Sequence, residues 1–275
     1  MSRTMIQAAV TMNQLQNKMD VIGNNMANSQ TTGYKSRQAN FSSLLFQQMD
    51  NLTDPANAEG RMTPDGLRIG SGAKLGSINA DFQVGSLRKT DRSLDTALLA
   101  PNHFFQVEAT ENGVTETRYT RDGAFYLTPI NGNQEVMLVD KNGNAILGAD
   151  GPIITATGFD AIAVQPNGQI VVKRGDDSEV VGTLAIVEAL RPHLLEAAGE
   201  NAFRLSEEAN AQVAFADAIQ PAAGGKMLES GKLEASNVNM SKEMSDLIMT
   251  QRAYQFNART ISMGDQMSGL INQLR

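Results

Sequence analysis

The feature that most constrains this chain lies in its first 26 residues. Met5, Ala8, Met12, Leu15, Met19, Ile22 and Met26 recur at spacings of 3, 4, 3, 4, 3 and 4. Such spacing lines up on one face of a 3.6-residue helix, so the segment reads as an amphipathic helix. Kept up over three heptads, a strict seam drifts about 20° per heptad round a straight helix, which implies supercoiling against another helix. The other faces are mostly Gln, Asn and Thr, and Arg3, Lys18 and Asp20 are the charged residues up to position 28. Charge pairs between successive turns therefore add little to this helix.

The far end repeats the idea. Met240, Met244, Leu247, Gln251, Tyr254, Ala258 and Ile261 keep the same spacing, and Met263, Met267, Leu270 and Leu274 follow in a shifted phase. Asn239 reads as an N-cap, with Glu243 near the positive end of the helix dipole. Ten of the 14 methionines fall in these two segments, and the flexible thioether adapts to irregular neighbours. Either helix alone would suit an ordinary core. Two at opposite ends, sharing seam, low charge and Met usage, point to a terminal pair that also meets further subunits. Seven covered seam positions supply on the order of 10 kcal/mol, whereas an uncovered helix of this kind is marginal.

The middle speaks for strands. Asn112-Gly113, Asp122-Gly123, Asn131-Gly132, Asn142-Gly143, Asp150-Gly151 and Asn167-Gly168 offer the positive φ that tight hairpins need. Short β-prone runs at 105–109, 135–139, 170–172 and 180–187 lie among them, as in an antiparallel barrel or sandwich. The stretches 50–80 and 215–232 are rich in Pro, Gly, Ala and Ser and read as connectors. The expected fold class is α+β. A discontinuous terminal α-helical coiled-coil domain (1–80 plus 215–275) carries an inserted, mainly antiparallel β domain (81–214).

Composition removes several classes of function. There is no Cys, so disulfide scaffolds, thiol catalysis and Cys-ligated zinc are excluded, and two histidines, His103 and His193, cannot build a three-His metal site. The net charge of −7 argues against nucleic acid as a main partner. The ends are near neutral and the middle is acidic. The start, MSRTMIQAAV, lacks the basic region followed by an apolar block that a secretory signal would show, and no apolar run approaches the roughly 20 residues that span a bilayer. Gly70-Ser71-Gly72-Ala73-Lys74-Leu75-Gly76 has the wrong spacing for a dinucleotide loop, and Gly224-Gly225-Lys226 lacks the rest of a phosphate loop. Asp140, Asn142 and Asn144 imitate the start of a calcium loop, but Gly151 stands where its bidentate Glu would be, so a hairpin turn is the better reading. No catalytic residue, cofactor or metal site is expected. The alternative is a secreted β-domain enzyme or wall-binding protein with helical oligomerisation arms, whose carboxylate pair would have to come from 30 acids that the sequence does not distinguish.

Two terminal motifs carry a family likeness. Asn24-Asn25-Met26-Ala27-Asn28-Ser29-Gln30-Thr31-Thr32-Gly33-Tyr34-Lys35 closely resembles the N-terminal signature of flagellar rod and hook proteins. Leu233-Glu234-Ala235-Ser236-Asn237-Val238-Asn239, then Leu247-Ile248 and Gln251-Arg252-Ala253-Tyr254, resembles their C-terminal signature. Inside the chain, Thr90 to Leu98 matches loosely and Tyr119-Thr120-Arg121-Asp122-Gly123-Ala124-Phe125 closely. The length and single β insert favour the distal-rod type over the longer hook protein. One departure is Ala100-Pro101-Asn102-His103-Phe104-Phe105, where the family usually has glycines before the paired Phe.

The resemblance implies a non-enzymatic subunit of the bacterial flagellar basal-body rod, a rod or rod–hook junction protein. It would assemble helically with copies of itself and other axial proteins, forming a drive shaft round an export channel. It would be exported by the flagellar type III apparatus without a cleavable signal peptide, and would bind neither nucleic acid nor a small-molecule substrate. Seams and motifs together place the assembly interface at Met5, Met12, Leu15, Met19, Ile22, Asn24, Asn25, Met26, Asn28, Gly33 and Tyr34. At the other end they place it at Leu233, Ser236, Asn237, Val238, Met240, Met244, Leu247, Gln251, Arg252, Tyr254 and Ile261. Asn24, Asn25 and Asn28 end the first helix, where their amides bond free carbonyls or a neighbour. Gly33 turns the chain outward, Ser236 and Asn237 turn it back, and Gln251 sets register at some stability cost.

Overall fold

The computed structural model describes residues 3–43, 47–49, 67–69, 73–111, 113–199, 201–206, 215–222 and 224–273. Much of the expected connector 50–80 (with Gly70, Ser71 and Gly72), Asn112 and Leu274 lie outside the described residues. The architecture is α+β, in two compact units. One comprises 1–26, 37–79 and 239–275; the other comprises 27–36 and 80–238. Against the expected boundaries at 80 and 215, residues 27–36 and 215–238 group with the β unit.

The helical unit holds the N-terminal helix Arg3–Ala27 and the C-terminal helix Met240–Gln273. Neither contains a proline, and Gly23, Gly264 and Gly269 are tolerated inside. Strand Arg37–Ser43 pairs with Ala73–Ala80, and Gln47–Met49 pairs antiparallel with Leu67–Ile69.

The β unit is built on an eleven-stranded sheet whose main path runs Ile154–Ala156, Glu135–Val139, Ala145–Gly148, His103–Glu111, Val114–Thr120, Ala202–Leu205, Leu195–Gly199. Its hub is the hairpin of His103–Glu111 and Val114–Thr120, in register from Phe105 opposite Thr120 to Glu111 opposite Val114. Successive side chains of a strand point to opposite faces. Phe105 and Ile186 therefore enter a core with Phe125, Leu138, Ile146 and Ile170. Their neighbours Phe104 and Val187 enter a second core with Phe82, Tyr119 and Phe203. Phe82, Phe104 and Phe203 meet edge to face at 5.2–5.9 Å, the arrangement their ring quadrupoles favour.

Five of the six turn glycines lie where expected. Gly113, Gly132, Gly143 and Gly168 hold positive φ between antiparallel strands, and Gly151 holds it as the first residue of strand Gly151–Pro152, which pairs back on Ala145–Gly148. Asp122-Gly123 is the exception. Both residues are buried, and a Cβ on Gly123 would lie 1.8 Å from the Thr96 carbonyl oxygen. Gly123 is required there by close approach, not by turning. The expected run 180–187 is broken into Asp177–Thr183 and Ile186–Ala189, which belong to different sheets, with Leu184 between them bridging to Gly148. Within 215–232, Ile219–Pro221 pairs with Ile186–Ala189 and Leu228–Ser230 pairs with Thr96–Leu98.

Candidate functional site

In the N-terminal helix, Ala8 and Ile22 are buried and Met5, Met12, Leu15, Met19 and Met26 are half-buried, so the seam is one continuous covered stripe. Ile6, Asn13, Gln16 and Asp20 occupy the exposed side, and Asn24 is exposed too. The helix end is organised by Asn25. Its Nδ2 donates to the Arg37 carbonyl (2.8 Å) and to Glu243 Oε1 (3.2 Å), while its Oδ1 accepts from the Arg37 N–H (2.9 Å). The amide thus bonds a strand and the other helix of its own unit. Asn28 closes a turn, accepting from Thr31 through its side chain and its carbonyl.

The C-terminal helix starts as expected: Asn239 Oδ1 accepts from the Lys242 N–H at 3.2 Å. Its covered stripe follows Glu243, Leu247, Thr250, Tyr254, Asn257 and Ile261. This shares Leu247, Tyr254 and Ile261 with the expected seam but puts Thr250, which is buried, in place of Gln251, which is exposed with Arg252. Met240 and Met244 are exposed as well. At 100° per residue, the opposite side of the helix carries a second apolar stripe of Ile248, Met249, Phe256, Met263, Met267 and Leu270. All six are exposed, Phe256 to 71%. The helix is apolar on two opposite sides, and a single chain covers one of them.

The motif residues of the β unit meet in one buried cluster. Gly33 takes φ +65° and donates its N–H to the Glu234 carbonyl at 2.8 Å; a Cβ there would stand 2.6 Å from the Arg121 backbone. Lys35 Nζ reaches Glu234 Oε1 at 2.6 Å and the Gln83 carbonyl at 2.6 Å. Arg121 Nε reaches Glu234 Oε2 at 2.9 Å. All three charged side chains are shut from solvent. Burial, with the nearby Arg121 guanidinium, pulls the Lys35 ammonium down to about 8 despite Glu234. Burial likewise holds Arg121 below its ordinary value. Arg121 Nη1 also donates to the carbonyls of Ala100, Pro101 and His103. One guanidinium thereby staples the glycine-free turn before Phe104-Phe105.

Around this cluster, Asn237 Oδ1 accepts from the Ser36 N–H at 2.7 Å, and its Nδ2 donates to the Asp81 carbonyl at 2.8 Å. Ser236 Oγ accepts from the Val238 N–H, the turn expected before the second helix. Asp122 accepts from Thr32 Oγ1 and pairs with Lys141, each at 2.9 Å.

Of the residues assigned to an interface from the sequence, Ile22, Asn25, Gly33, Tyr34 and Leu233 are buried in the single chain. Their contacts frame the subunit itself. Lys35, Arg121, Asp122 and Glu234 join these contacts as partners that the sequence does not announce, although each stands inside one of the family-like motifs; a charge amid apolar and small residues is the available signal. The 140–144 turn is a hairpin: Asp140 Oδ1 accepts from the Asn142 and Asn144 N–H groups, and its Oδ2 accepts from Asn144 Nδ2. Among the described residues, no cluster of three His, Asp or Glu is placed to hold a metal, and no helix is long and apolar enough to cross a membrane.

Three family models match the chain in order. They are the flagella basal body rod protein over 7–35, the flagellar hook protein FlgE/F/G D1 domain over 99–172, and the flagellar basal body rod FlgEFG protein C-terminal over 229–274. The flagellar hook-basal body complex protein FlhP of Bacillus subtilis is 39% identical over 279 residues, covering all of both chains. The flagellar basal-body rod protein FlgG of Agrobacterium fabrum is 32% identical across 98% of each. FlgG of Bacillus subtilis is 29% identical over the full length of both.

Proposed function

Since this chain belongs to the flagellar basal-body rod protein family, we propose that it is a rod subunit that polymerises helically through its two terminal helices. It is a structural subunit of the bacterial flagellar basal body, and its work is mechanical, not enzymatic. The carrying observation is the outer apolar stripe of the C-terminal helix, from Ile248 to Leu270, which a single chain leaves exposed. Six large apolar side chains on one exposed face mark an interaction surface.

In the assembled rod the terminal helices pack as coiled coils and line an inner tube, with Met240, Met244, Gln251 and Arg252 beside the outer stripe. The covered seam (Met5, Met12, Leu15, Met19, Met26, Leu247, Tyr254, Ile261) holds the subunit's own ends. A surface that meets a different surface on the next copy gives an open helical filament instead of a closed ring. The partners are copies of this chain and the neighbouring axial proteins, and delivery is through the flagellar type III apparatus.

Identity to the Bacillus subtilis hook-basal body complex protein (39%) exceeds identity to the FlgG of the same bacterium (29%). That difference, with the glycine-free turn at 100–105, supports a rod paralogue distinct from FlgG. Deleting the gene should abolish hooks and motility while leaving the cell wall intact; a deletion strain with normal flagella would refute the assignment.

A further inference from the structure

We propose that residues 228–238 are the closing segment of the β unit, and that the unit cannot complete its fold until this stretch, last before the C-terminal helix, is available. Pairing is the first reason. Among the described residues, strands Leu87–Lys89 and Thr96–Leu98 find their partners in Lys232–Glu234 and Leu228–Ser230. Residues 31–36 depend on the same stretch: Gly33 N–H donates to the Glu234 carbonyl, Ser36 N–H to Asn237 Oδ1, and Asn237 N–H to the Tyr34 carbonyl. Gly85 N–H donates to Glu234 Oε1 as well, at 2.8 Å.

Charge is the second reason. Lys35 and Arg121 share one anion, Glu234, and all three side chains are inaccessible to water. Before Glu234 arrives, closing the unit would bury two cations without the one carboxylate that contacts both, a costly arrangement for a core. The cations are supplied early in the chain and the anion more than a hundred residues after the second of them. A chain emerging N-terminus first therefore holds its first two hundred or so residues without a closed β unit. The long loops to be closed also make this step slow relative to the local hairpins.

The test uses the intact chain. Refolding from denaturant, followed by pulsed hydrogen exchange, should show 31–36, 87–98 and 228–234 gaining protection in a single phase. Protection of 31–36 and 87–98 in a phase that precedes 228–234 overturns the proposal. In the native state, Glu234→Gln should speed exchange in all three segments together, roughly a hundredfold or more. Adding Lys35→Met should recover part of that loss by removing one uncompensated cation. Wild-type protection in Glu234→Gln, or loss confined to 228–234, overturns it too. If Glu234→Gln fails to fold, the refolding order of the unaltered chain decides.

Discussion

Replacing Phe256 with Ser separates assembly from folding. Phe256 sits mid-stripe on the outer side of the C-terminal helix and is 71% exposed in the single chain. Complete burial of a Phe side chain contributes about 3 kcal/mol at most. With seven-tenths of that surface still in water, covering it with a neighbouring copy contributes about 2 kcal/mol per subunit. Losing this contact should raise the concentration needed for polymerisation roughly thirtyfold. The dilute subunit should hardly notice, because an exposed substitution away from caps and cores changes stability by about 0.5 kcal/mol or less. Sedimentation of purified protein across a concentration series measures the first quantity, and urea unfolding of the dilute chain measures the second. Leu247→Asp is the contrast: Leu247 lies in the covered stripe, so it should both raise the concentration needed for polymerisation and lower the subunit's stability. Polymerisation of Phe256→Ser at the wild-type concentration would refute the role given to the outer stripe, and so would a large loss of subunit stability.

Three further outcomes are expected. Gly123→Ala forces a Cβ to within 1.8 Å of the Thr96 carbonyl and should cost about 3 kcal/mol in urea unfolding; a cost near zero would remove close approach as the reason for this glycine. Asn239→Ala loses the cap on Lys242 N–H and should cost about 1 kcal/mol, read as faster hydrogen exchange in the first turn of the C-terminal helix alone. For Lys35, held near 8 in the folded chain, the unfolded side chain keeps its proton up to its ordinary value near 10.5. The unfolded state therefore binds more protons between pH 8 and 10.5, and stability from this group rises with pH across that window and is flat below it. The difference between wild type and Lys35→Met in urea titrations from pH 7.5 to 10.5 isolates this effect; a difference that falls with pH reverses the assigned cause.

Local rules made much of this protein legible. Heptad spacing marked both helices, since burial on a helix repeats with its turn, and Asn239 announced where the second begins. Asn-Gly and Asp-Gly pairs marked five hairpins, because a positive φ is a property of the residue itself. The Ala–Pro–Asn–His departure at 100–103 was visible as an oddity, but not as the loop that Arg121 staples.

Other features depended on what stands opposite. Which side of the C-terminal helix is covered is a question of partners: Thr250 and Gln251 are neighbours in sequence, and only packing makes the first buried and the second exposed. Asp122-Gly123 looks like a hairpin turn until Thr96 lies against it. Nothing along the chain pairs Lys35, Arg121 and Glu234, because a local window cannot see a counter-ion 113 or 199 residues away. Periodicity and turn chemistry are short-range and are written along the chain. Charge compensation and face selection are long-range and come into being when distant segments meet.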